Sequence, residues 1–211
     1  MKHEHIQEID SYVPIPENYK DAILLMQSDF YRCYARKLSL FEMYFKTFFE
    51  PSLKFLFWFR LSQVDGWLKI IAKFRRRHYA FKYGIMIPSS TKIGYGFFIG
   101  HPFGIIINHT AVIGNNVNVS QFLSIGSNEI RAAFVGDNVY IGPHCSLVED
   151  VVVGHDSTIG AGAVVVKNIP PLFCCCWSTS SCDSFRFKAR KIYITTVACD
   201  GSLEESFYGT K

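Results

Sequence analysis

Charge is scarce in this 211-residue chain: Asp, Glu, Lys and Arg make up 19% of it and leave a formal net charge of only +4. So mild an excess gives no support to nucleic-acid binding and at most a weak attraction to anionic substrates or lipids. Long apolar runs are also missing. The most apolar stretch, Leu53 to Leu61, is interrupted by Lys54 and broken by Arg60, well short of the ~20 residues that span a bilayer. The opening MKHEHIQEIDSYVP lacks the apolar core of a secretory leader. No Cys-x-x-Cys pair has zinc spacing among the seven cysteines, of which Cys33 and Cys145 stand alone while Cys174, Cys175, Cys176, Cys182 and Cys199 crowd the C-terminal part. They read as ordinary thiols, with no metal site expected. These absences together predict a cytoplasmic, reduced protein. A hydrophobic content of 49% provides for a packed core, and the length suits one functional unit in two parts.

Residues 1 to about 16 are polar and end in Pro14 and Pro16, which predicts a loosely held lead-in. From Asn18 to about Phe81, Leu, Phe, Tyr and Trp recur at three- and four-residue steps. The pattern predicts about three helices, divided near Ser39, Pro51 and Gly66. The rings of Phe41, Tyr44, Phe45, Phe48, Phe49, Phe55, Phe57, Trp58 and Phe59 form more than one apolar stripe. Packing against one another and a partner subunit is the simpler reading, and a membrane-surface or acyl-chain-binding face the other.

After Tyr83 a repeat takes over. Aliphatic residues fall at Ile93 and Ile99, then at Ile107, Ile113, Val119 and Ile125, then at Val135, Ile141, Leu147, Val153, Ile159 and Val165. Within each run the step is six, which fits neither a helix nor a hairpin sheet. It fits a triangular prism of three short strands per coil, each lead side chain pointing to the axis and stacking on the residue three hexapeptides later. Burial of one such Ile or Val stabilises by ~1.5 to 3 kcal/mol. A small or apolar residue follows four after many leads, at Val117, Leu123, Val139, Cys145, Val151, Ser157 and Ala163, and glycine often follows directly. That glycine suits a tight corner, in places with positive φ.

The stretch Pro88 to Pro171, with KIGYGFFIGHPFGIIINHTAVIGNNVNV, LSIG and VGDNVYIGPHCSLVEDVVVGHDSTIGAGAVVVKNIPP, resembles the hexapeptide-repeat acyltransferases. The likeness is to the serine acetyltransferase branch and its polysaccharide-acetylating relatives. It implies an all-β main domain, a left-handed parallel β-helix, here over residues 84–171; the helical pattern places an α-helical region over 1–83 before it, and the chain departs from the family in an irregular tail over 172–211. It also implies a homotrimer with active sites between adjacent prisms, and acetyl-CoA as donor. The period is interrupted twice, around His101-Pro102-Phe103-Gly104 and around Asn128-Glu129-Ile130-Arg131. Loops on a rigid scaffold are where binding and catalysis concentrate. By resemblance His101 is the general base that takes the proton of the acceptor hydroxyl, work that a largely neutral imidazole can do. The alternative is a structural loop histidine. His109 is a rival base that reads better as a surface corner, and His144 and His155 read as solvated. Gly142, Gly160 and Ala161 would admit the pantetheine arm and Lys167 would meet a phosphate; tight corners explain the glycines equally well. Asp29 and Arg131 are the acceptor-site candidates.

The resemblance departs from the serine enzymes at three polar groups. Met86 stands where they carry an aspartate fifteen residues before the base, Gly100 replaces the Asp just before it, and Arg131-Ala132 aligns with an Arg-His pair. The expected acceptor is therefore a hydroxyl of a sugar, lipid-linked or free, in cell-surface polysaccharide synthesis. The alternatives are serine O-acetylation in cysteine biosynthesis and a non-catalytic trimeric scaffold. Aromatic helices and the Arg75-Arg76-Arg77 run could add peripheral membrane contact, though a solvated charge run is the simpler account. After Pro171 the family's last coil is replaced by LFCCCWSTSSCDS. Reading from the second base of each codon can turn that segment into VVVGVPAAVIR, the expected ending, which predicts a pair of compensating frame shifts across 172–184 that DNA sequencing would test.

Overall fold

The computed structural model describes residues 1–128 and 131–175. The reading-frame expectation therefore falls mostly outside the described residues, as do Glu129 and Ile130 of the second interruption.

The chain opens with a hairpin, β1 (Lys2–Ile6) and β2 (Ser11–Ile15), paired antiparallel from Lys2↔Ile15 to Ile6↔Ser11. The expected loose lead-in is thus an ordered element. Its alternation places Ile6, Ile9 and Val13 against Val112 and Phe134 of the prism, an apolar face that a count of polar residues conceals.

Four helices follow, α1 (Tyr19–Tyr34), α2 (Leu40–Lys46), α3 (Pro51–Ser62) and α4 (Lys69–Tyr83). The three breaks lie where the sequence places them, but three breaks make four helices rather than three. Asn18 caps α1 by accepting from the Asp21 N–H. Ser39 and Glu42 form a capping box on α2. Pro51 opens α3, where its missing N–H leaves nothing unsatisfied. Gly84 ends α4 with φ of 66°. Helix α3 is buried on most sides through Leu53, Phe55, Leu56, Phe57, Phe59 and Leu61.

The remainder is a parallel β-helix with three faces. The first face stacks β4 (Lys92–Ile93), β7 (Val112–Ile113), β10 (Phe134–Val135) and β13 (Val152–Val153). The second stacks β5 (Phe98–Ile99), β8 (Asn118–Val119), β11 (Tyr140–Ile141), β14 (Thr158–Ile159) and β16 (Cys174–Cys175). The third stacks β3 (Ile85–Met86), β6 (Ile105–Ile107), β9 (Ser124–Ile125), β12 (Ser146–Leu147) and β15 (Val164–Val165). Every lead aliphatic from Ile93 to Val165 is at most 3% exposed, and register pairs such as Ile93↔Ile113 and Ile141↔Ile159 join leads of successive coils.

Two details of the repeat differ from expectation. Left-handed backbone falls three residues after the lead, at Gly96, Asn116, Phe122, Asn138, His144, Asp150, Asp156 and Gly162, rather than directly after it. The glycine after the lead serves close stacking instead: a Cβ on Gly94 would lie 2.5 Å from the Gly114 carbonyl oxygen. Also, Phe173 to Cys175 is not an irregular tail. β16 pairs with β14, Cys175 opposite Ile159 and six residues after the buried Ile169, so the period continues into the cysteine run.

Candidate functional site

His101 lies in the loop between β5 and β6, at the prism edge where the second face turns into the third. Two extra residues there swing the chain outward, and the Phe103 N–H closes a tight turn on the His101 carbonyl at 2.8 Å. The imidazole is exposed, and nothing among the described residues hydrogen-bonds to it. It borders a groove of about 290 Å³ lined by Phe98, Gly100, Asn118, Ser120, Gln121, Tyr140 and Pro143, among others. Among the described lining residues no Asp, Glu, Lys or Arg occurs.

The same edge carries an aromatic ladder. Phe103 meets Phe122 edge-on at 5.6 Å, and Phe122 stacks on His144 at 4.6 Å. Phe122 and His144 both occupy left-handed backbone, φ 59° and 60°, uncommon for a bulky residue. The ring of Phe122 lies where a Cβ on Gly104 would stand, 2.6 Å away, so that glycine is needed for contact as well as for its own φ of 66°. His144, read as solvated, is exposed but built into this ladder.

Polar groups behind the groove are ordered from the helices. Arg32 of α1 donates to the Gly96 carbonyl at 2.9 Å and to Asn118 Oδ1. Burial lowers its guanidinium to about 10, which still leaves it charged at neutral pH. An amide whose oxygen is held by Arg32 has its N–H₂ end left to offer the groove. Gln121 Oε1 is buried with no hydrogen-bond partner among the described residues, which in a native structure calls for a ligand or water. Sequence reading missed Arg32, Asn118, Gln121 and Tyr140. Only their positions one to two residues around a lead, on the coils stacked next to His101, could have pointed to the last three.

The remaining candidates divide by edge. Gly142, Gly160 and Ala161 follow β11 and β14 and so share the edge of His101. Gly142 is buried by stacking, its Cβ position 2.8 Å from the Ala161 N, whereas Ala161 is exposed. Lys167 is exposed and follows β15, at the edge between the third and first faces. Arg131 precedes β10 at that same edge, paired with Glu8 at 2.8 Å and Asp150 at 2.9 Å and lying over the Phe134 ring. Within one chain, neither is brought to His101.

Asp29 is no acceptor contact in this chain. It is fully buried, accepts from Arg60 Nε at 2.8 Å and Nη2 at 3.0 Å, and accepts from the Phe97 N–H at 2.8 Å. Burial pushes its carboxyl up, and Arg60 opposes that. Arg60 also donates to the carbonyls of Ile93 and Gly94, each within 2.8 Å, so the pair bolts α1 and α3 to the first coil. Cys145 is sealed in the prism, its thiol pushed up by burial and 3.0 Å from the Gly160 carbonyl. Among the described residues no group of three or more His, Cys, Asp or Glu could hold a metal ion.

Comparison with known proteins agrees with this architecture. Residues 132–167 match the family model described as bacterial transferase hexapeptide (six repeats). The serine acetyltransferase of Mycobacterium tuberculosis is 37% identical over 92 residues, 42% of this chain and 40% of that protein. That of Escherichia coli strain K12 is 31% identical over 118 residues, 52% of this chain and 43% of that one. The matches thus span about two-fifths of the length of these curated relatives. Among solved structures, serine acetyltransferase of Neisseria gonorrhoeae in complex with serine superposes with a TM-score of 0.62 at 25% identity, over 74% of this chain and 66% of that one. Isoform 3 of Entamoeba histolytica, in complex with cysteine, gives 0.63 at 24% identity, over 76% and 60%, a likeness of fold. The prism is similar to the bacterial hexapeptide transferases over residues 132–167, and its likeness among curated proteins and solved structures lies with the serine acetyltransferases.

Proposed function

We propose that this protein transfers an acetyl group from acetyl-CoA to an acceptor hydroxyl, with His101 as general base. The observation that carries the reading is the placement of His101 at the mouth of a groove whose other described lining is uncharged, apolar at Phe98, Val119 and Pro143 and polar at Asn118, Ser120, Gln121 and Tyr140. Acetyl-CoA supplies the acetyl group as a thioester when bound. His101 takes the proton from the acceptor oxygen as that oxygen bonds to the acyl carbon, then returns a proton to the departing sulfur. Such a base contributes roughly 10²- to 10⁴-fold. The amides of Asn118 and Gln121 and the hydroxyls of Ser120 and Tyr140 are the side-chain donors that line the groove and could meet the developing oxyanion. No cysteine lines the groove among the described residues, which supports direct transfer through a ternary complex.

L-serine is the acceptor favoured by the relatives, which carry the name serine acetyltransferase; they lend no support to the cell-surface sugar expected from the sequence. One observation still favours a neutral polyol such as a sugar. Among the described residues the groove is lined by no Asp, Glu, Lys or Arg to hold a zwitterion, and Asp29 and Arg131 are engaged elsewhere. Free CoA release is followed with purified protein, acetyl-CoA and either L-serine or a panel of sugars. Release with serine supports the first reading, and release with a sugar alone supports the second. His101→Ala lowers kcat by about 10² to 10⁴ without moving the melting temperature, since the ring is exposed. Absence of both CoA release and CoA binding would leave a non-catalytic scaffold.

A further inference from the structure

We propose that the outward face of α4 docks this protein on the surface of an anionic lipid bilayer. Helix α4 turns Ala72 inward, and Arg76 beside it donates to the Ile87 carbonyl at 2.6 Å. The three-arginine run is therefore split by helical periodicity, Arg76 facing the fold, Arg77 facing out, and Arg75 exposed but leaning over the Trp58 ring of α3 at 5.8 Å. At 100° per residue, Ile70, Phe74 and Phe81 fall within about 40° of one another, opposite Ala72. They are 68%, 71% and 68% exposed, and Trp67 in the turn just before them is 78% exposed. Lys73 and Arg77 flank this stripe on one side, Arg75 and Lys82 on the other, with the Arg77 guanidinium 5.1 Å from the Phe81 ring.

The composition around the stripe selects the occupant. From Gly66 to Asn128 the chain contains seven Lys and Arg and no Asp or Glu. An apolar ridge between two rows of cations matches acyl chains bordered by anionic headgroups. A second copy pairing two-fold through α4 would instead oppose like charges. No helix among the described residues is long and apolar enough to cross a membrane, so the helix, about 22 Å long, lies along the surface.

The test is cosedimentation of the full chain with vesicles of phosphatidylcholine alone and of phosphatidylcholine with phosphatidylglycerol. The chain pellets with the second kind, and salt of about 0.5 M releases much of it. Lys73→Glu with Arg77→Glu lowers partitioning at least about tenfold, because every cation near an anionic surface accounts for roughly fivefold, and Ile70→Ser with Phe74→Ser lowers it at least about tenfold by removing apolar side chains that enter the acyl boundary. All four side chains are exposed, so thermal melting of the variants stays at the wild-type value. Failure to pellet with either vesicle, or undiminished binding by both double variants, overturns the proposal. So does a change of mass in solution with vesicle binding intact, which would assign the ridge to a second copy.

Discussion

Arg60 sits inside a helix of Leu and Phe, and its charge is tolerated because every direction its guanidinium faces is answered: by Asp29, by the Ile93 and Gly94 carbonyls and by Gln63. Taking away one partner of such a pair is far costlier than its net contribution. Asp29→Asn is expected to destabilise the fold by about 3 to 5 kcal/mol, read by chemical denaturation. A raised KM with stability unchanged would instead restore Asp29 to the acceptor site. Glu42 makes the opposite case, at the surface. The Ser39 N–H and hydroxyl and the Arg36 guanidinium lower its carboxyl from 4.5 to about 2. A carboxyl depressed on folding stabilises above its unfolded value, and the effect is lost as pH falls through the folded value. The melting-temperature advantage of wild type over Glu42→Gln is therefore present at pH 6 and fades between about 4.5 and 2.

At the scale of elements, the corners decide how closely successive coils approach. A Cβ on Gly154 would lie 2.3 Å from the Pro171 N and 2.7 Å from the Pro170 carbonyl carbon, backbone that cannot step aside, whereas one on Gly126 meets nothing within 4 Å. Gly154→Ala should cost about 1 to 3 kcal/mol, and Gly126→Ala should stay within about 0.5 kcal/mol; paired thermal melts compare them. The difference follows from the interruptions of the period. Gly126 stands just before the second interruption of the period, while Gly154 lies against the backbone of a continuing coil at Pro170 and Pro171. Spacing alone gives both glycines the same role, so their inequality is visible only in three dimensions.

For the whole molecule, the third face bears on assembly. Met86, Ile106 and Val164 are about half exposed on β3, β6 and β15, next to the exposed Phe103 and Phe122 of the His101 edge. An apolar strip beside a groove is what a neighbouring prism would cover in the trimer expected from the family resemblance. Sedimentation equilibrium should then give three times the 24.1 kDa chain mass. Ile106→Glu should reduce it to one chain and abolish acetyl transfer, since the groove would lose its second wall. A monomer that keeps full activity would contradict the shared-groove reading.

The six-residue period by itself determined the prism, because a lead aliphatic repeated twelve times can be buried together only around one axis, and the structure buries each of them. Helix breaks were likewise legible, since Ser39, Pro51 and Gly66 act through local backbone chemistry. The interruption at His101 marked the candidate base. What only the tertiary structure decided is which side chains meet across coils and between helices and prism. Asp29 on Arg60, Arg32 on Asn118, and Phe122 on His144 are separated in sequence by 31, 86 and 22 residues. No local preference encodes such pairs, because the free energy that selects them exists only after the coils have stacked and water has left the space between them.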